Sequence, residues 1–199
     1  MKGKYTLYIL ISVIVVGCST SKNTWLSRGY YNLTAKYNVF FNGEQSFEKG
    51  RESMRESIRD DYTHVLPMFA FSEDVDADVP TSQMQRAILK GHKLIREHSI
   101  TAKPNREPTG GEPEYREFYN QKEFNRWVDD SWMLIGKAHM HLHQWREAAR
   151  AFDQVIRTFP QKSVRFEAML RLARAYIEMD DFESARRHLD RFPSGIDDE

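Results

Sequence analysis

The 199-residue sequence contains a single cysteine, which excludes an internal disulfide and a cysteine-built zinc site. It carries no excess of either charge: 29 Lys and Arg face 29 Asp and Glu, a formal net charge of +0. Such balance lacks the basic surplus that displaces counterions from nucleic acid or holds a polybasic module on a membrane. The apolar run Leu7 to Val16 is shorter than the ~20 residues needed to cross a bilayer. No G-x-S-x-G elbow, phosphate loop or dinucleotide fingerprint occurs, so nothing marks a catalytic centre and no cofactor is implied. The chain reads as a non-enzyme. What is present is 40% hydrophobic and 13% aromatic residues, too rich in core formers for a disordered chain.

The N-terminus has a directing pattern. Lys2 and Lys4 precede the short apolar run, as in a secretory signal peptide over residues 1–17. The junction Val15-Val16-Gly17-Cys18 resembles a bacterial lipobox, in which the cysteine thiol accepts a diacylglycerol and the peptidase cuts before it. Several acyl chains together anchor a protein far more firmly than one. Cys18 is thus the expected lipidation site, and residues 18–24 a polar tether. Ser19 is not acidic, which favours forwarding to the outer membrane, and the tether lacks an acidic run, which favours the periplasmic face.

Helical repeats are the strongest internal signal. Trp132, Ile135, Gly136, His139, Ala148, Phe152 and Pro160 follow the tetratricopeptide pattern W-x2-L-G-x2-Y…A-x3-F…P, with His139 in place of the tyrosine. Small residues at 136 and 148 let two helices approach, and large ones fill the space around the contact. Met169, Leu172, Ala173, Tyr176, Ala185 and Leu189 repeat the pattern, each 37 residues after its counterpart. The usual period is about 34, so the surplus is expected between the hairpins, at Gln161 to Phe166.

The expected fold is therefore all-α, with tetratricopeptide-like hairpins stacked as a short solenoid over residues 117–199. Residues 82–98 read as one amphipathic helix opened by a capping box at Ser82 and Gln85. Residues 101–116, with Pro104, Pro108, Gly110-Gly111 and Pro113, read as a loop. Within the N-terminal helical region, residues 25–100, Tyr30, Leu33, Tyr37 and Ser46 share the repeat spacing. They predict a degenerate hairpin from about Trp25 to Arg59, broken near Asn42-Gly43. Residues 25–71 hold 10 of the 25 aromatics, a density expected of packed core ahead of a docking surface.

In such arrays the first helix of each hairpin lines a concave groove. The equivalent positions here are Asp130, Met133, Lys137, Met140 and His141, then Glu167, Leu170, Arg174, Ile177 and Glu178. Lys137 and Arg174 form a basic pair among apolar neighbours, suited to an extended segment or helix that carries acidic residues. Burial of some of the apolar positions against a neighbouring hairpin is the competing expectation.

Two other clusters read as bland. His139 and His143 share a helix face, but no HExxH glutamate lies between them and no third ligand is evident, so no metal site is expected. Asp74, Asp76 and Asp78 resemble the start of a calcium loop, but Val79 and Gln85 stand where Gly and Glu are needed.

The chain also resembles a known family. Thr24-Trp25-Leu26-Ser27-Arg28, Ala35 to Gly43, Asp60-Asp61-Tyr62, Val65-Leu66-Pro67, Lys93-Leu94-Ile95, His98-Ser99-Ile100, Glu123-Phe124-Asn125, Asp129-Asp130-Ser131-Trp132 and Gly136-Lys137 carry the likeness. Together they resemble the SprE/PorW family, the tetratricopeptide outer-membrane lipoproteins of gliding motility and type IX secretion in Bacteroidota. Members are considerably longer than this chain, which stops soon after its second clear repeat. The resemblance implies a non-catalytic scaffold, held to the membrane at Cys18, whose partners are other secretion and gliding proteins. A generic periplasmic tetratricopeptide lipoprotein of outer-membrane assembly is the alternative, with an envelope hydrolase carrying accessory repeats behind it.

Overall fold

The computed structural model describes residues 20, 22–58, 62–63, 65 and 80–192. Cys18, the expected signal peptide and the Asp74–Asp78 cluster lie outside these residues. Among the described residues every named element is helical, and an isolated parallel bridge joins Asn23 to Pro104.

The first helix is α1 (Trp25–Thr34), which passes through a π-helical segment (Ala35–Phe40) into α2 (Phe41–Ser57). Thr24 caps its start by accepting from the Ser27 amide at 3.1 Å. Asn42-Gly43 therefore does not break a hairpin. Gly43 lies inside α2 because a Cβ there would stand 3.0 Å from Lys90 Cβ and 3.1 Å from Leu134 Cδ2, so glycine admits close packing rather than a turn.

The return helix is α3 (Thr81–His98), close to the expected range. Its capping box does not form. Pro80 occupies the N-cap, and its carbonyl accepts from the Gln83 and Met84 amides. A short helix, α4 (Pro113–Asn120), follows. Pro113 sits at its start, where a missing amide hydrogen costs nothing, so the expected loop ends earlier than residue 116. Then come α5 (Val128–His141), α6 (Trp145–Thr158), α7 (Val164–Ile177) and α8 (Phe182–Leu189).

These helices stack in sequence: α2 on α3, α3 on α5, α5 on α6, α6 on α7 and α7 on α8. The result is a short solenoid of three hairpins, α2/α3, α5/α6 and α7/α8. Gly136 receives the Phe152 ring across α5/α6, and Phe152 is fully buried. The two clear repeats also share their turn. His143 and Asp180, 37 residues apart, both have positive φ (55° and 58°). The next residues, Gln144 and Asp181, donate back to the His139 and Tyr176 carbonyls, each at 2.9 Å. The connection between these hairpins is Phe159–Ser163, and Val164 to Phe166 are already helical.

A polar clasp ties α1 to the repeats. Glu123 is buried and accepts from the amides of Ile100 (2.8 Å), Phe124 (3.0 Å) and Asn125 (2.8 Å), and from the Ser99 hydroxyl. Burial pushes its carboxyl above the ordinary range, against the pull of those donors. Asn125 donates to the His98 carbonyl at 2.8 Å, and Asn32 of α1 accepts from the Arg126 amide at 2.7 Å. The role of Glu123, Asn125 and Asn32 is thus architectural, since they hold backbone that no helix satisfies.

Candidate functional site

The first helices of the three hairpins, α2, α5 and α7, present side chains to one concave face. On α5, Lys137, Met140 and His141 lie three and four residues apart and so share a face. Arg171 and Arg174 of α7 and Phe47, Glu48 and Arg51 of α2 complete the lining of a cavity of about 320 Å³. Its floor is apolar, since Phe47 and Met140 are both buried.

Charge dominates the walls. Lys137 Nζ lies 2.9 Å from Glu167 Oε1, and Arg171 Nε reaches the same oxygen at 2.8 Å. Arg174 pairs with Glu178 at 3.5 Å, and Arg51 with Glu48 at 2.5 Å. Four cations therefore meet three carboxylates. Burial pushes Glu167 up, but its hydrogen bonds to Lys137 and Arg171 outweigh that and hold it below its ordinary range. His141, 5.3 Å from Phe47 between ring centres, responds the other way. Burial first, then the positive charge of Arg174, Arg171 and Arg51, lowers it to about 4, so it is neutral at physiological pH.

The expected groove positions divide. Lys137, Met140, His141 and Arg174 line the cavity, and Glu167 and Glu178 pair with its cations. Leu170 and Ile177 are exposed on α7. Met133 is not part of the accessible surface. It is 3% exposed and belongs to the same core as Ala168 and Leu172, because the next hairpin closes over it. Asp130 is half-buried at the start of α5. Burial and the adjacent Asp129 raise it to about 6, opposed by Lys162 and Lys137. Asp129 itself pairs with Lys162 at 2.7 Å.

Arg171 and the α2 contributors Phe47, Glu48 and Arg51 escape a reading of the two repeats alone. The Glu167–Arg171 spacing of four residues is a usable signal for the first. The α2 residues become visible once α2 is recognised as the first helix of a hairpin.

The neighbouring histidines diverge. His139 Nδ1 contacts Gln144 Oε1 at 2.7 Å, and the His143 ring stands edge-on to Trp145. Among the described residues no group of three His, Cys, Asp or Glu is placed to hold a metal. A larger cavity, about 430 Å³, lies between α4 and the α6–α7 connection. Its two lysines are engaged, Lys122 with the Arg157 carbonyl and Lys162 with Asp129. The concave face differs in drawing its lining from the first helices of all three hairpins.

The sequence comparisons agree with this architecture. The Tetratricopeptide repeat family matches residues 132–198, about one third of the chain, beginning within α5. Repeats of this family are protein-interaction scaffolds, and residues 132–198 are similar to them. No curated protein sequence matches the chain.

Proposed function

We propose that the chain is a lipid-anchored outer-membrane scaffold of the type IX secretion and gliding machinery, and that it acts by binding rather than catalysis. Its concave face takes an extended or helical segment bearing acidic residues from another periplasmic or outer-membrane component of that machinery. The observation that carries the binding half is the groove itself: four cations and three carboxylates over a floor of Phe47 and Met140. An apolar floor with cationic walls fits a helix or strand with mixed apolar and acidic side chains. The lipobox-like junction at Cys18 and the resemblance of the N-terminal motifs support the address and the machinery.

The test is the double reversal Lys137→Glu with Arg174→Glu in the full chain, followed by recovery of partners from solubilised outer membranes. Recovery should fall sharply while circular dichroism stays unchanged. Full recovery from the folded variant would remove the groove from consideration. The anchor is tested separately: Cys18→Ser should abolish incorporation of labelled palmitate and leave the protein unprocessed. Secretion of type IX cargo should fail in cells lacking the protein, with cell-wall chemistry intact.

A further inference from the structure

The outward face of α1 and the π-helical segment has an unusual composition. Trp25, Leu26, Tyr30, Leu33, Tyr37 and Phe41 are all exposed, from 50% for Tyr30 to 74% for Trp25. The other exposed positions between them are Gly29 and Asn38, so the stripe contains no charge from residue 25 to residue 41. The five side chains from Leu26 onward step by three or four residues, as one helix face requires, and Trp25 adjoins the first of them. The wider π winding offsets the drift that successive four-residue steps accumulate at 3.6 residues per turn. At 1.5 Å per residue the stripe is about 24 Å long. It stops abruptly: the next exposed residues on α2 are Glu44, Gln45, Glu48 and Lys49.

We infer that this uncharged aromatic face docks into the interfacial layer of a phospholipid bilayer. Three observations select lipid over a protein occupant. The residue types are those that settle at headgroup depth, where Trp and Tyr place an apolar ring inward and a polar edge in water. The charge is complementary to anionic headgroups: residues 18–43 contain Lys22, Arg28 and Lys36, and the first acidic residue of the whole sequence is Glu44. The position is also right. Trp25 follows Cys18 by seven residues, which span at most about 25 Å when extended. Among the described residues no helix is long and apolar enough to cross a membrane, so α1 would lie on the surface as an interfacial helix does. Docking would fix the orientation of the solenoid, which a flexible tether alone leaves free.

The inference rests on the anchor reading for which bilayer is nearby, and the stripe's own affinity is separately measurable. Full-chain protein purified from membranes would carry Leu33→Cys or, as the control on the same continuous helix, Glu52→Cys. Each new thiol is spin-labelled, and the protein is reconstituted in mixed phosphatidylethanolamine–phosphatidylglycerol vesicles. The label at 33 should collide several-fold more with oxygen than with a water-soluble nickel chelate, whereas the label at 52 should favour the chelate. A label at 33 as open to the chelate as that at 52 overturns the inference. Shielding of 33 from both agents only when other outer-membrane proteins are added also overturns it, and assigns the stripe to a protein. Mass spectrometry of the N-terminal peptide reports acylation of Cys18 independently. An unacylated chain with an immersed label sinks the anchor alone, and an acylated chain with a water-exposed label sinks the stripe alone.

Discussion

Gly136 on α5 and Phe152 on α6 meet without room for a methyl group: a Cβ on Gly136 would stand 2.5 Å from Phe152 Cε1 and 2.7 Å from Cζ. The ring cannot yield, because Phe152 is fully buried. Gly136→Ala gains helix propensity of about 1 kcal/mol but overpacks the contact by about 1–3 kcal/mol. A net loss is expected, and Gly136→Leu should lose more. For a domain of this size each kcal/mol lowers the thermal midpoint by about 2–4 °C. An unmoved midpoint in scanning calorimetry of the leucine variant would contradict the packing.

Glu123 supports a second stability prediction. Removing its carboxylate by Glu123→Ala strands the Ile100, Phe124 and Asn125 amides in a buried site. A loss of about 2–4 kcal/mol follows from unsatisfied donors of this kind. Glu123→Gln, which keeps one acceptor oxygen, should lose less. Urea denaturation measures the difference, and hydrogen exchange should quicken in α1 together with residues 99–127 if the clasp joins them. Faster exchange confined to residues 99–127 would show that α1 is held by other contacts.

The parts of this fold legible in the sequence are those where size alternates at a fixed interval. Gly136, Ala148 and Phe152 announce a helix crossing, and their counterparts 37 residues later announce its repetition. The first hairpin is hidden because its close approaches use other residues. Gly43 beside Asn42 looks like a turn locally, yet Lys90 and Leu134 packed against it keep α2 straight through. The spacing of Tyr30, Leu33 and Tyr37 is a true helical period without the expected partner, since all three are exposed among the described residues. In the groove, Lys137 and Arg174 follow from repeat register, whereas Arg51 depends on α2 standing beside α5. Met133 shows the limit of register: the position faces the groove by count, but the neighbouring hairpin covers it.

His141 and Asp130 make stability depend on pH in opposite senses. His141 falls from 6.5 to about 4 in the folded chain, so the unfolded chain binds more protons between those values. Its contribution is complete above pH 6.5 and is lost as pH falls towards 4. Asp130 rises from 3.8 to about 6, so the folded chain binds more protons in that window, and its penalty grows as pH rises from 4 to 6. The full Asp130 shift corresponds to about 3 kcal/mol, reduced to about 1–2 kcal/mol by solvent screening at a half-buried site. Asp130→Asn should therefore stabilise the protein at pH 7 and make it more acid-sensitive. His141→Phe should flatten the acid limb. Denaturation series from pH 7 to pH 4 check both, and parallel curves for the variants and the parent would contradict the assignments.

Glu167 occupies the place in the groove that a ligand carboxylate would take, since Lys137 and Arg171 both converge on its Oε1. Its lowered pKa keeps it charged at neutral pH, so it competes with any acidic segment for those two cations. Glu167→Gln removes the competitor and keeps the shape. The cost in stability should be small, because the pairs are partly exposed and such pairs contribute about 0–1 kcal/mol. Partner binding should tighten, with most of the gain in electrostatic attraction and therefore sensitive to salt. Outer-membrane partners held on the immobilised Glu167→Gln protein should elute at higher salt than from the parent, and those on Arg171→Glu at lower salt. Earlier elution from Glu167→Gln would mean that Glu167 itself contacts the partner, and the groove would then favour a basic segment.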